Sequence, residues 1–231
     1  YTLEGKKASD DNVWYKSAVT VKPATADDGT SLYTIAKECD PDVFGDSVVF
    51  DDQGKKEHYV YLKDANGAIS RVKVVDANGN DLKIDSVAPN ENNMTIDIQD
   101  LSIIEKIGYK FGFYNPEVNI TFTVADEAQP DESGVQKFTC YYTKDENSTA
   151  SIKGSAEWEL VPELKDGKYT ATKTITATEL ETYRGHISFT AIDKAGNKSN
   201  EIKEDNVIIV VDTISPTMKA AFEAADSENS R

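Results

Sequence analysis

Apolar residues in this chain recur with a period of two. Val118, Ile120, Phe122 and Val124 alternate with Asn119, Thr121 and Thr123. One side of such a segment is apolar and the other polar, as in a half-buried strand. Ile187, Phe189 and Ala191 alternate with Ser188 and Thr190 in the same way. Met94, Ile96 and Ile98 share a face, and Phe138, Cys140 and Tyr142 form another inward row. Shorter strands are predicted at 1–3, 14–21, 31–35, 48–50, 58–62, 69–75, 82–84, 158–161, 169–175 and 207–211, the last a β-branched run. Turn-forming residues separate them: Asp27-Asp28-Gly29, Asn66-Gly67, Asn78-Gly79, Asp166-Gly167 and the cluster DKAGN at 193–197. Residues 39–45, 129–134 and 145–154 read as loops. Residues 101–106 read as one helical turn or a strand, and 178–183 as a short helix. No long segment repeats every 3.6 residues, so nothing supplies the crossover helices of a parallel α/β fold.

Two parts of the chain line up with one another. DANGAIS at 64–70 matches DKAGNKS at 193–199 without a gap, and IDSVAP at 84–89 matches VDTISP at 211–216. At the front of each copy, WYKSAVTV at 14–21 matches FYNPEVNI at 113–120. A repeat of this size points to repeated domains. Each copy has about seven short strands at the spacing of an all-β sandwich. Pro89 cannot donate to a ladder and so ends the first copy, and the polar NENN at 90–93 is linker-like. The expected division is a sandwich over 1–89, a larger sandwich over 90–216, and 217–231 as a tail or the start of a further repeat. The extra length of the second copy falls at 145–168, the expected place for a function-specific addition. With Tyr1 in first position and no signal-peptide pattern, the chain reads as a processed or excised piece of something longer.

Charge narrows the partners. Asp and Glu number 41 against 25 Lys and Arg, a formal net charge of −16. Nucleic acid and anionic membrane surfaces are themselves polyanions and are not expected partners. The longest apolar run, 207–211, falls far short of the ~18 residues a membrane helix needs, so no membrane insertion is expected. Cys39 and Cys140 fall in different copies, so neither copy holds an internal disulfide. The two are also expected to stay unbonded to each other, because bridging needs Cα atoms within ~7 Å.

Candidate chemistry is thin. DANGND at 76–81 superficially resembles a calcium loop, but Gly79 is fourth rather than sixth and Val87 stands where the twelfth-position Glu belongs. Asp85 and Asp212 adjoin the two copy ends and are the carboxylates to watch for a cation between domains. His58 and His186 sit one position apart at the start of equivalent strands, and there is no Gly-x-Ser-x-Gly nucleophile elbow. Neither cysteine has the surroundings of a nucleophile, and Cys140 reads as a small core residue. With 41 acids, chance carboxylate pairs are guaranteed and none marks a glycosidase. Tyr59 and Tyr61 point opposite to Val60 and Leu62, and Tyr141 is similarly placed. A tyrosine row facing solvent could stack on sugars or a partner protein, although cross-strand packing explains it as well. No catalytic, cofactor-binding or metal residue is assigned, no cofactor is expected, and ligand-binding residues stay open.

The segment DKAGNKS followed by VDTISP resembles the end of bacterial immunoglobulin-like domains of the Big type, with 114–124 and DESG at 131–134 as matching early strands. The first copy departs from the pattern, having Asn66-Gly67-Ala68 where the second has Ala195-Gly196-Asn197. Antibody-type Cys–Trp–Cys spacing is absent. The resemblance implies an all-β chain of two tandem immunoglobulin-like β-sandwich domains from a bacterial cell-surface or secreted protein. It further implies a non-enzymatic stalk or ligand-presenting segment, extracellular or cell-wall associated, whose partners are other domains of the same chain and a host protein or glycan. The alternative is an accessory carbohydrate- or host-protein-binding module of a larger secreted enzyme.

Overall fold

The computed structural model describes residues 1–7, 14–99, 111–114 (backbone), 117–125, 133–146, 154–178 and 182–213. The fold is all-β, with two single-turn 3-10 segments, Pro41–Val43 and Glu91–Asn93.

The first group of strands is β1 (Thr2–Glu4), β2 (Val19–Lys22), β3 (Thr34–Ala36), β4 (Val48–Phe50), β5 (Gly54–Lys56), β6 (His58–Lys63), β7 (Ile69–Val74) and β8 (Leu82–Ile84). Sheet β1-β2-β4 lies on one side, and β3-β6-β7 with the pair β5-β8 on the other. Val19, Val21 and Phe50 from the first layer meet Ile35, Val60, Val74, Leu82 and Ile84 from the second in one buried cluster. The second group is β9 (Met94–Ile98), β10 (Phe111–Tyr114), β11 (Glu117–Ala125), β12 (Val135–Lys144), β13 (Ala156–Leu160), β14 (Glu163–Lys165), β15 (Lys168–Thr176), β16 (Tyr183–Asp193) and β17 (Ile202–Val211). Here sheet β14-β15-β11-β9 faces sheet β10-β17-β16-β12-β13. Val118, Ile120 and Phe122 meet Phe138, Cys140 and Phe189 in a second cluster. Phe189 lies between Phe122 and Phe138, with ring centroids 5.1 and 5.2 Å away in tilted and edge-on arrangements. No strand pairing among the described residues joins the two groups.

The two groups share pairings that align residue for residue. Gly54 pairs with Ile84 as Tyr183 pairs with Val211. Val21 pairs with Val48 as Ile120 pairs with Lys173. The front of each group runs parallel to its last strand, Tyr15 against Ile84 and Tyr114 against Val211. Hairpin turns share one backbone as well. Gly29, Gly67, Gly79 and Gly196 all take φ between +80° and +84°, a left-handed conformation that Gly adopts without steric cost. In the last three an Asp opens the turn. Asp64 Oδ1 accepts from the N–H groups of Asn66 and Ala68, each at 2.9 Å. Asp76 Oδ1 accepts from Asn78 and Asn80, each at 2.8 Å. Asp193 Oδ1 accepts from Asn197 at 2.8 Å. The loop with a calcium-like look therefore has a turn-forming role for its first carboxylate.

Several sequence expectations need correction. The predicted strand at 14–21 begins only at Val19; Trp14 and Tyr15 instead run beside β8. In the region 145–168 the strand predicted at 158–161 is present as β13, and β14 was not predicted. The two extend the free edges of β12 and β15. β16 was expected to be half-buried but is covered on both faces, with Ser188 at 3% and Thr190 at 4% exposure. Its outer face is shielded because it sits between β12 and β17. There Ser188 bonds Glu201, Thr190 pairs with the buried Thr139, and a Lys137–Glu159 ion pair flanks that row. Of the short helix expected at 178–183, residues 179–181 lie outside the described residues, and Tyr183 begins β16. The alternative readings of 101–106 and the segment 217–231 lie outside the described residues.

Candidate functional site at the junction of the two cores

The parallel run of Tyr15 beside β8 determines where the first core ends. Tyr15 N–H donates to the Lys83 carbonyl at 2.7 Å, and Asp85 N–H donates to the Tyr15 carbonyl at 2.8 Å. This holds Asp85 immediately past Ile84, with 2% of its surface exposed. One carboxylate oxygen, Oδ1, accepts from Val87 N–H at 3.1 Å; the other, Oδ2, accepts from Ser133 N–H at 2.8 Å. Ser133 belongs to the segment leading into β12, so this bond crosses from one core to the other. Asn197 makes a second crossing: its Nδ2 donates to the Asp85 carbonyl at 2.9 Å and to the Val87 carbonyl at 3.5 Å.

The receiving side is built from the turn between β16 and β17. Lys194 N–H donates to the Gly134 carbonyl at 2.9 Å, and Ala195 N–H to Ser133 Oγ at 3.2 Å. Ser199 Oγ accepts from Ala191 N–H at 2.9 Å and closes the base of the turn. Gly134 is required twice over. Its φ is +76°, and a Cβ placed there would lie 2.3 Å from the Tyr169 hydroxyl. Asp193 is 4% exposed and its Oδ2 accepts from Asn197 Nδ2 at 2.9 Å. Burial pushes its pKa up to about 6, against the bonds from Asn197 and Ala195, and the charge of Asp85 pushes the same way. Asp76 makes the same turn at the surface. There burial is the largest single influence, yet the N–H bonds from Asn80 and Asn78, the Asn80 side chain and the charge of Lys7 together outweigh it, and its pKa falls below the ordinary value. Burial, together with the charge of Asp85 from the other core, thus separates two otherwise alike carboxylates.

The arrangement can hold two bodies in a defined orientation. Ten residues separate Gly54 from Asp64, and ten separate Tyr183 from Asp193. In the second group the last strand therefore ends beside one end of β16 and the Asp turn lies at the other, roughly 33 Å away at ~3.3 Å per residue; in the first group β5 and β6 in succession cover the same number of positions. Asp85, at the exit of the first group, meets the turn end of the second.

Other residues singled out by sequence are scattered. Asp212 lies exposed after β17. His58 is buried on β6, its Nε2 3.1 Å from Asp52 Oδ2 and its ring 4.3 Å from that of Phe50. His186 is half-buried on β16. Cys39 is an exposed free thiol, and Cys140 is a buried one whose pKa burial pushes up to about 12. Tyr59, Tyr61 and Tyr141 are half-buried, and the Arg71 guanidinium covers the Tyr59 ring at 3.8 Å. Asp81 pairs with Lys73 at 2.7 Å. Among the described residues no group of three or more His, Cys, Asp or Glu is placed to hold a metal ion. Asp85 was legible as a boundary residue; Ser133, Asp193 and Asn197 were not. The one signal was at the fifth turn position, where the second copy has Asn197 and the first Ala68.

No family model matches the chain, and no curated protein matches it. Among solved structures, it is similar to the crystal structure of BcpA, the major pilin subunit of Bacillus cereus. The identity is 12%, over 84% of this chain and 69% of that one, with a TM-score of 0.24. A variant of the same pilin aligns over the same shares, at 12% identity and a TM-score of 0.23. A likeness this distant carries no functional information.

Proposed function

We propose that this chain is a non-catalytic, load-transmitting segment of a bacterial cell-surface or secreted protein, with β-sandwich domains over 1–89 and 90–216 joined end to end. The observation that carries this reading is the direct bonding of Asp85 to Ser133 and Asn197. A flexible tether needs no buried polar bonds across it, whereas a spacer that sets reach does. The position of the junction, at the exit of the first group and the turn end of the second, supports an extended arrangement. A net charge of −16 also disfavours folding one acidic unit back along the other. In this reading residues 217–231 lead into further domains, and binding of a host protein or glycan belongs to other surfaces of the longer protein.

Small-angle scattering of the purified chain tests this. The expected result is an elongated particle whose longest dimension is about twice that of either unit. A compact particle with the two units side by side would overturn the reading.

A further inference from the structure

We infer that the junction is a proton-controlled hinge, held docked when Asp193 carries a proton and loosened when Asp193 is ionised beside Asp85. The inference rests on the end-to-end reading above. Its basis is geometric: two carboxylates, one from each core, are each at least 96% buried at the same contact and repel one another. Both carboxylates also organise the contact. Asp85 holds Ser133 N–H, while Asp193 shapes the turn whose Asn197 reaches back to the Asp85 carbonyl. Protonating Asp193 removes the repulsion; the carbonyl oxygen of the neutral carboxyl still accepts the Asn197 N–H, and the bond from Asn197 Nδ2 weakens while that amide keeps its bonds to the Asp85 and Val87 carbonyls.

The surrounding charges do not cancel this coupling. On its own turn Asp193 has Lys194 and Lys198, both exposed. From the first core, Lys16 Nζ comes within 3.9 Å of where a Cβ on Gly196 would stand. From β15, Tyr169 presents a hydroxyl beside Gly134. None of these bonds to Asp193, whereas Asp85 raises its proton affinity. Undocking carries Asp193 from a buried site into one like that of Asp76, where the same turn leaves the carboxylate readily ionised. Docking therefore takes up a proton in the mildly acidic range and is strengthened there.

The test uses the full chain with spin labels on Cys39, which is exposed, and on an introduced Glu157→Cys on exposed β13; Cys140 is buried and unreactive. Distance distributions are recorded from pH 8 to pH 5. The expected result is a roughly tenfold rise in the docked-to-undocked ratio, the size a two-unit difference in proton affinity gives over that range. Asp193→Asn, which keeps the turn acceptor, should remain docked and lose the pH response, whereas Asp85→Asn, which leaves Asp193 buried and titratable, should weaken the response without abolishing it. Asp76→Asn should respond like the parent. A single narrow distance at every pH would overturn the hinge while leaving the end-to-end spacer intact. A broad distribution at every pH would overturn both. A parent-like pH response in both Asp193→Asn and Asp85→Asn would place the titrating group elsewhere and overturn the hinge.

Discussion

At the scale of single residues, Asp193 links pH to stability with a definite sign. Its pKa in the folded chain is raised to about 6, so the folded state binds the proton more tightly than the unfolded state does. Its favourable contribution is complete below the unfolded value near ~3.9 and is lost as pH rises through 6. Asp193→Asn should therefore stabilise the chain at pH 8 by on the order of 2 kcal/mol and have little effect at pH 4, as urea denaturation at the two pH values would show. Gly134→Ala should be severe, because it combines a left-handed φ with a contact against Tyr169. A loss of more than ~2 kcal/mol is expected, and paired Tyr169→Phe should recover the part due to the contact, leaving the ~1 kcal/mol cost of the left-handed backbone. Deleting a central aromatic gives a third expectation. Phe189→Ala empties a fully buried site between two other rings and should destabilise the second core by ~3–5 kcal/mol.

Individual strands and turns show why part of this fold was readable from sequence. β11 alternates because one face meets the core and the other meets water, and its nine residues reproduce that rhythm. The DxxG turns were readable because Asp and Gly answer local backbone demands that no distant contact alters. β16 was misjudged because sequence alternation reports side-chain polarity, while burial of Ser188 and Thr190 depends on the strands placed beside them. β13 was foreseen within two residues, but β14 was not, because an edge strand of three exposed residues has only one neighbour to dictate its pattern; Val161, between them, is 82% exposed. The junction was least readable, since its bonds join residues 48 and 112 positions apart. Turn chemistry gives its own expectation. Gly79→Ala meets no neighbour within 4 Å yet must hold φ +80°, so it should cost only ~1 kcal/mol by thermal melting, well below the Gly134 change.

For the whole molecule, the junction should be separable from the folding of either core. Asn197→Ala places at this turn position the residue that Ala68 already provides in the equivalent turn, so the hairpin should persist. Loss of the bonds to Asp85 and Val87 should cost about 1 kcal/mol. It should broaden the inter-core distance distribution without changing the Tm of isolated local probes in either core. The parallel seams have a consequence for tension. When a chain is pulled from its two ends, a front segment lying parallel to the last strand is dragged lengthwise past it, and the bonds between them share the load instead of opening in turn. Among the described residues the second core has four paired positions along that seam, from Phe111 with Ile208 to Tyr114 with Val211, whereas the first has the single bridge of Tyr15 with Ile84. Stretched as one filament, the first core should give way first and lengthen, acting as a fuse that spares the second.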